Sequence, residues 1–138
     1  MIINAENQIA GRVAAYAAKK AIVGEEIIII NCEKAVITGS RPQVLAKFKR
    51  KRELGVPLQG PYYPRKPEMV FKRIIRGMLP YKKEKGESAF KRIKCYKGEP
   101  SGIKKDNNVK VLGADISKVP NLKYITIAEV SRFMGAKI

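Results

Sequence analysis

Glu26-Ile27-Ile28-Ile29-Ile30-Asn31 holds four consecutive isoleucines with no polar residue among them. A strand with one wet face alternates apolar and polar side chains. An unbroken aliphatic run therefore reads as a central strand covered on both faces, the kind found in parallel sheets. Ala35 to Thr38 repeats the pattern after a short turn. On the N-terminal side, Ile9, Val13 and Ala17 fall at i, i+4 and i+8, six alanines lie between Ala10 and Ala21, and Gly24 supplies a stop. That spacing predicts a helix over about Gln8 to Val23, with residues small enough to let it lie close to a sheet. With Ile2 and Ile3 as a short strand ahead of it, the first forty residues read as a βαββ-like unit, and the fold class is α/β.

Charge is spread unevenly. Residues 1–40 carry four cations and four anions, whereas Arg41 to Lys97 carries 18 Lys and Arg against 4 Glu, fourteen of the seventeen net positive charges. Cations so crowded repel one another and oppose compaction, which implies a polyanionic partner, nucleic-acid phosphate above all. The length of 138 residues and the 45% apolar content suit one domain spanning residues 1–138. No stretch approaches the roughly 20 apolar residues of a membrane span. The first twenty residues also lack a basic segment followed by an apolar one, so the chain reads as cytosolic.

Catalysis is disfavoured by what the chain lacks. It has no histidine, the commonest general base and the usual partner of a nucleophilic Ser or Cys. Asp106 and Asp115 are the only aspartates, no acidic pair is spaced for two-metal phosphate chemistry, and no Gly-rich phosphate or dinucleotide loop follows a strand. Cys32 and Cys95 stand far apart with no C-x-x-C pair, outside the common zinc spacings. Buried free thiols suit a reducing compartment better than a disulfide does. The expectation is a binding protein with no catalytic residue, metal, cofactor or small-molecule substrate.

The basic half opens at Gly39 and Ser40, with Ser40 placed to cap a helix that carries Pro42 in its first turn and runs to about Leu54. At about 100° per residue Val44, Leu45 and Phe48 share one face. Lys51 and Arg52 occupy the continuation of that face, so the apolar stripe stops halfway. Such a helix projects beyond the core, presenting Lys47, Lys49, Arg50, Lys51 and Arg52 around its free end; a merely solvated end is the alternative. Residues 55–67 hold four prolines and two glycines and read as an extended, polyproline-like loop. Within it Tyr62 and Tyr63 neighbour Arg65 and Lys66. Aromatics interleaved with cations suit stacking on RNA, and the same tyrosines are equally placed to anchor the loop on its own domain.

Pro67 at a first helical position and Glu68 in the first turn start a helix to about Met78. Val70, Phe71, Ile74, Ile75 and Met78 cover one arc, and Lys72, Arg73 and Arg76 lie nearly opposite. The apolar arc is core; the cationic arc suits a row of phosphates. Gly77, Leu79 and Pro80 end the helix, and 81–86 forms a tight loop with Tyr81, Lys82, Lys83 and Lys85. A short helix with Ala89, Phe90 and Ile93 inward follows, then a strand over Lys94 to Tyr96, a surface loop over 100–108 and a strand segment over Val109 to Leu112. Thr126 and Glu129 have capping-box spacing ahead of Ile127, Val130, Phe133 and Met134, with Gly135 as the stop, so the chain closes on a short helix.

Arg76-Gly77-Met78-Leu79-Pro80, the lysine loop after it and Lys94-Cys95-Tyr96-Lys97-Gly98 resemble the universal ribosomal large-subunit protein thirteen family. So do Ala10-Gly11-Arg12-Val13-Ala14, Ile30-Asn31-Cys32-Glu33 and Ile37-Thr38-Gly39, in the family's order and at about its separations. The resemblance covers nearly all of residues 1–100. It implies a three-layer α/β/α fold around a mainly parallel four-stranded sheet, and a ribosome-bound place on large-subunit ribosomal RNA beside other large-subunit proteins. It also implies a part in early subunit assembly. The final third lacks the His-Pro-His stretch of bacterial members and resembles the archaeal and eukaryotic branch. Tyr81 and Lys83 stand where many relatives place His and Thr, so no specific hydrogen-bond role carries over there. An RNA-modifying enzyme would need a cofactor loop or carboxylate cluster, and an architectural DNA binder would prefer duplex over irregular RNA. Whether Arg12 faces RNA or merely packs is left open by the sequence.

Overall fold

A computed structural model of the chain describes residues 1–60, 62–102 and 108–138. Pro61 and most of the loop expected over 100–108 lie outside the described residues. The elements run β1 (Ile2–Asn4), α1 (Ala10–Val23), β2 (Ile27–Ile30), β3 (Val36–Thr38), α2 (Arg41–Glu53), α3 (Pro67–Met78) and α4 (Glu84–Lys91). They continue with β4 (Ile93–Cys95), β5 (Asn108–Val109), β6 (Tyr124–Thr126) and α5 (Ile127–Phe133). Four parallel strands form one sheet in the order β4-β2-β1-β5, with Ile3 opposite Ile29 and Ile29 opposite Cys95. The isoleucine run is thus central, flanked on both sides. With five helices among the described residues, this is α/β architecture consistent with three α/β/α layers.

The steps β1 to β2 and β2 to β4 cross the sheet in the same direction. Right-handed crossovers therefore put α1 and the α3–α4 pair on one face, and α1 indeed packs against α3 and α4. Ile3, Ile27, Ile29 and Ile93 point to that side and are fully buried. The covering of the two faces is unequal: Ile2 and Ile28, on the opposite side, are only half-buried. α1 buries Ala10, Val13, Ala14, Ala17, Ala18 and Ala21, and its alanine face is what lets α3 approach. It ends where Gly24 adopts φ 117° and donates to the Ala21 carbonyl, while the Glu25 N–H reaches Lys20, a left-handed closure that a side chain would strain.

Val36–Thr38 does not extend the parallel sheet as the βαββ reading implied. Asn31 turns into the left-handed region at φ 55°, a 3₁₀ turn follows over Cys32–Lys34, and β3 pairs antiparallel with β6 in a separate two-stranded sheet. Three residues long, β6 leaves no pattern of its own in the sequence. Below it, the Thr126 hydroxyl oxygen accepts the Glu129 N–H at 3.3 Å, the N-cap half of the expected capping box of α5, while the Glu129 carboxylate accepts the Thr126 O–H at 3.2 Å in place of the backbone N–H. Ser40 takes the N-cap position of α2, but its hydroxyl makes no capping hydrogen bond. Cys32 and Cys95 are free thiols, the first buried and the second half-buried. Contact with Cys95 and burial both push the Cys32 thiol's pKa up. No helix among the described residues is long and apolar enough to cross a membrane.

Candidate nucleic-acid interface

In α2 only Val44 and Phe48 are buried, and every residue from Lys49 to Gly60 is exposed. The helix projects, as the interrupted stripe predicts. What holds it is an aromatic joint. Tyr63 packs edge-on against Phe48 with ring centroids 6.1 Å apart, so the loop returning from the projection is pinned to α2 at the last buried turn.

That joint separates the two tyrosines. Tyr63 is half-buried and anchors the loop. Tyr62 stays 69% exposed, with its hydroxyl donating to the Pro57 carbonyl at 3.2 Å, and keeps a ring face free for stacking.

The cations of α3 are arranged on rings as well. Lys72 Nζ lies 4.8 Å from the centre of Phe90, the Arg73 guanidinium 5.5 Å from Tyr63, and the Arg76 guanidinium 4.3 Å from Tyr81. Lys51 Nζ, from α2, sits 5.1 Å from Phe48 and 5.7 Å from Tyr63. Each such contact is worth about 0.5–1 kcal/mol at an exposed site. More useful than that energy is the order imposed: a long side chain resting on a ring loses less rotamer freedom when it takes a phosphate. Desolvation of the Lys51 ammonium, with repulsion from Lys47 and Arg73, lowers its pKa from the ordinary lysine value. An anion bound there would relieve that repulsion.

Lys47, Lys51 and Arg73 line one cleft between α2 and α3, and Lys72, Arg73 and Arg76 line the next, beside Pro64 and Phe90. Lys49 and Arg50 face away from both, on the flank of α2 that carries Glu53. Lys49 there makes a loose 3.9 Å pair with Glu53. Arg52 is exposed near the free end of the helix, and Arg65 and Lys66 are exposed on the approach to α3. Met78, expected in the core arc, is 44% exposed, while Val70, Phe71 and Ile75 are fully buried.

The loop expected over 81–86 is shorter than its composition suggests. α4 begins at Glu84, so Lys85 is helical, and the exposed turn carries Tyr81, Lys82 and Lys83. The turn is pressed onto α4 at Gly86, where an added Cβ would lie 2.1 Å from the Pro80 carbonyl oxygen. Only glycine permits that approach, which places Tyr81 beneath Arg76. The rings under the cations are the part that sequence reasoning missed. Phe48 and Lys51 share a helical i, i+3 spacing that could have signalled their contact; nothing in sequence spacing brings Lys72 to Phe90.

The family model described as Ribosomal protein L13 matches residues 1–102. The chain belongs to the ribosomal protein L13 family. Relatives along nearly its whole length are each described as large ribosomal subunit protein uL13. The one from Methanococcus maripaludis is 43% identical over 142 residues, covering 99% of this chain and 98% of the relative. Those from Methanosarcina barkeri and Methanocaldococcus jannaschii are 44% and 42% identical, again covering 99% of this chain and 98% of each relative. The L13-family match takes in the whole of α2, α3 and the 81–83 turn, the elements that carry the cation-on-ring face.

Proposed function

We propose that the protein is a structural component of the large ribosomal subunit, cytoplasmic and ribosome-bound, that holds large-subunit ribosomal RNA through phosphate and sugar and acts early in subunit assembly. Likeness over nearly the full length to proteins described as belonging to that subunit supports the first part. The RNA-facing part is carried by one observation: Lys72, Arg73 and Arg76 each lie over a ring on one helix face. None of the ion pairs among the described residues engages them. Such a row complements a line of phosphates and carries no base code, so it positions the RNA and leaves sequence unread. The role is binding, not catalysis, in keeping with a ribosomal-protein family.

The surface is divided among a projecting helix, an exposed loop and a helix face, and it fits RNA already folded by other subunit proteins better than naked RNA. Sedimentation of native lysate on a sucrose gradient, with and without a high-salt wash, tests the reading. Stoichiometric co-migration with the large subunit through the wash is expected, and migration as a free 15.4 kDa protein would sink it. That preference for pre-folded RNA predicts tighter binding to partly assembled particles than to deproteinised RNA at the same salt; equal affinity would remove the preference.

A further inference from the structure

A third cleft, of about 630 Å³, lies on the other side of the start of α2. Its walls include Arg12 from α1, Thr38 and Gln43 from the β3–α2 junction, and Lys118, Asn121 and Lys123 from the segment before β6. Three cations face it and no carboxylate lines it. The nearby acids are occupied elsewhere: Asp115 accepts the Ser117 N–H at 2.9 Å, and Glu129 pairs with Arg41 at 3.1 Å.

This rim is built, not loose. The Gln8 side chain is buried and pairs with the backbone of Val111 in both directions, at 3.2 and 3.3 Å. The Ile9 N–H reaches Ala114, and the Ile116 N–H reaches Asn7. Val119 packs with Ile9 and Val36 in a small cluster of its own, setting Lys118 on a fixed turn. The Gly39 N–H donates to the Lys123 carbonyl at 2.9 Å, and the Arg12 guanidinium donates to the Gly113 carbonyl, which uses one of its five donors and leaves the others for a ligand. α2 begins here with neither a side-chain cap nor an acidic residue in its first turn, so its positive dipole end adds to the field of the three cations.

The cleft also shares Thr38, Gly39 and Gln43 with the neighbouring one lined by Lys47, Lys51 and Arg73. The two form one cationic trough bent over the start of α2. We infer that the RNA backbone follows this trough past the start of α2, and that Arg12, Lys118 and Lys123 hold phosphate in its second arm. The inference rests on the RNA-facing reading above and enlarges it. Two of these three cations stand beyond residue 102, where the family-model match ends, and all three lie outside the basic stretch of Arg41 to Lys97.

The test uses large-subunit particles assembled without this protein and the full chain in four forms: wild type, Arg12→Gln/Lys118→Gln/Lys123→Gln, Lys118→Gln/Lys123→Gln, and Arg73→Ala/Arg76→Ala. The double glutamine variant keeps the Arg12–Gly113 contact, so it stays informative if the triple variant folds poorly. Binding is measured across a salt series, with hydroxyl-radical footprints of the RNA. Each lost phosphate contact should flatten the slope of log K against log salt by about 0.7–0.9, so the triple variant should lose about two to three units. Sugar protections should vanish at nucleotides other than those released by the Arg73/Arg76 variant. A wild-type slope and footprint in both glutamine variants, with losses in the Arg73/Arg76 variant, would overturn the second arm and leave the RNA-facing reading intact. No change in any variant would remove both. Loss of a crosslink to a neighbouring protein with the slope unchanged would make the cleft a protein seat and overturn the inference.

Discussion

α1 and α2 are nearly the same length, 14 and 13 residues, yet the first buries six side chains and the second two. The difference follows from side-chain size and charge. Alanines along α1 bring it flush against α3 and the sheet. In α2 the apolar stripe ends at Phe48, and the cations beyond it have no compact place to go. One helix is bound by its whole face, the other only by its first two turns, which rest against α5 and β6 and end at the aromatic joint. A ribosomal protein of this family therefore carries, in one chain, a part that folds around itself and a part shaped for something outside it.

The sharpest way to break this comparison is at the joint. Phe48→Ala should lower stability by about 3 kcal/mol, and amide exchange should quicken through the second half of α2 while the sheet stays protected. Urea unfolding with hydrogen exchange checks both, and a uniform loss across the chain would mean that the joint is ordinary core. A smaller effect is expected from crowding the other helix. Ala17→Leu, at a fully buried position against α3, should cost about 2 kcal/mol, whereas Ala46→Leu on the exposed side of α2 should stay within about 0.5 kcal/mol. Equal costs would erase the distinction between the two helices.

The least effect on the fold should come from Lys51→Met. Because the lysine pKa is lowered in the folded state, its charged form is disfavoured there. That penalty is present below the folded-state pKa and disappears as pH rises through the unfolded-state value. Removing the charge should leave the melting temperature at pH 7 unchanged or slightly higher while flattening the salt slope of RNA binding by about one unit. A lower melting temperature together with an unchanged slope would show the lysine to be a packing residue and no phosphate ligand.

Where the sequence was legible, a period carried the information. The isoleucine run located the central strand, and the opposed arcs of Pro67–Met78 located both the buried face and the cationic face of α3. The stripe that stopped at Phe48 foretold the projection of α2. What stayed hidden depends on long-range pairing. Tyr124–Thr126 is three residues long and becomes a strand by meeting Val36–Thr38. Tyr62 and Tyr63 are neighbours of identical type, and only the position of Phe48 decides which is anchored. Lys85 read as loop because its surroundings are charged, although a helix begins one residue earlier. Ser40 had the right type and position for a cap, yet its hydroxyl does not close onto the helix.

The twelve exposed residues from Lys49 to Gly60 make the free protein vulnerable at one seam. Trypsin needs backbone that can leave its helix beside a lysine or arginine, and the last turns of α2 hold Lys49, Arg50, Lys51 and Arg52, where no buried side chain keeps the helix end from fraying. A single early cut there would leave the sheet and the helices packed on it standing, while the ring contact of Phe48 and Tyr63 would lose the covalent loop behind it. The same seam would be shielded once covered by a partner, so the rate of that one cut distinguishes a seated copy from a stray one.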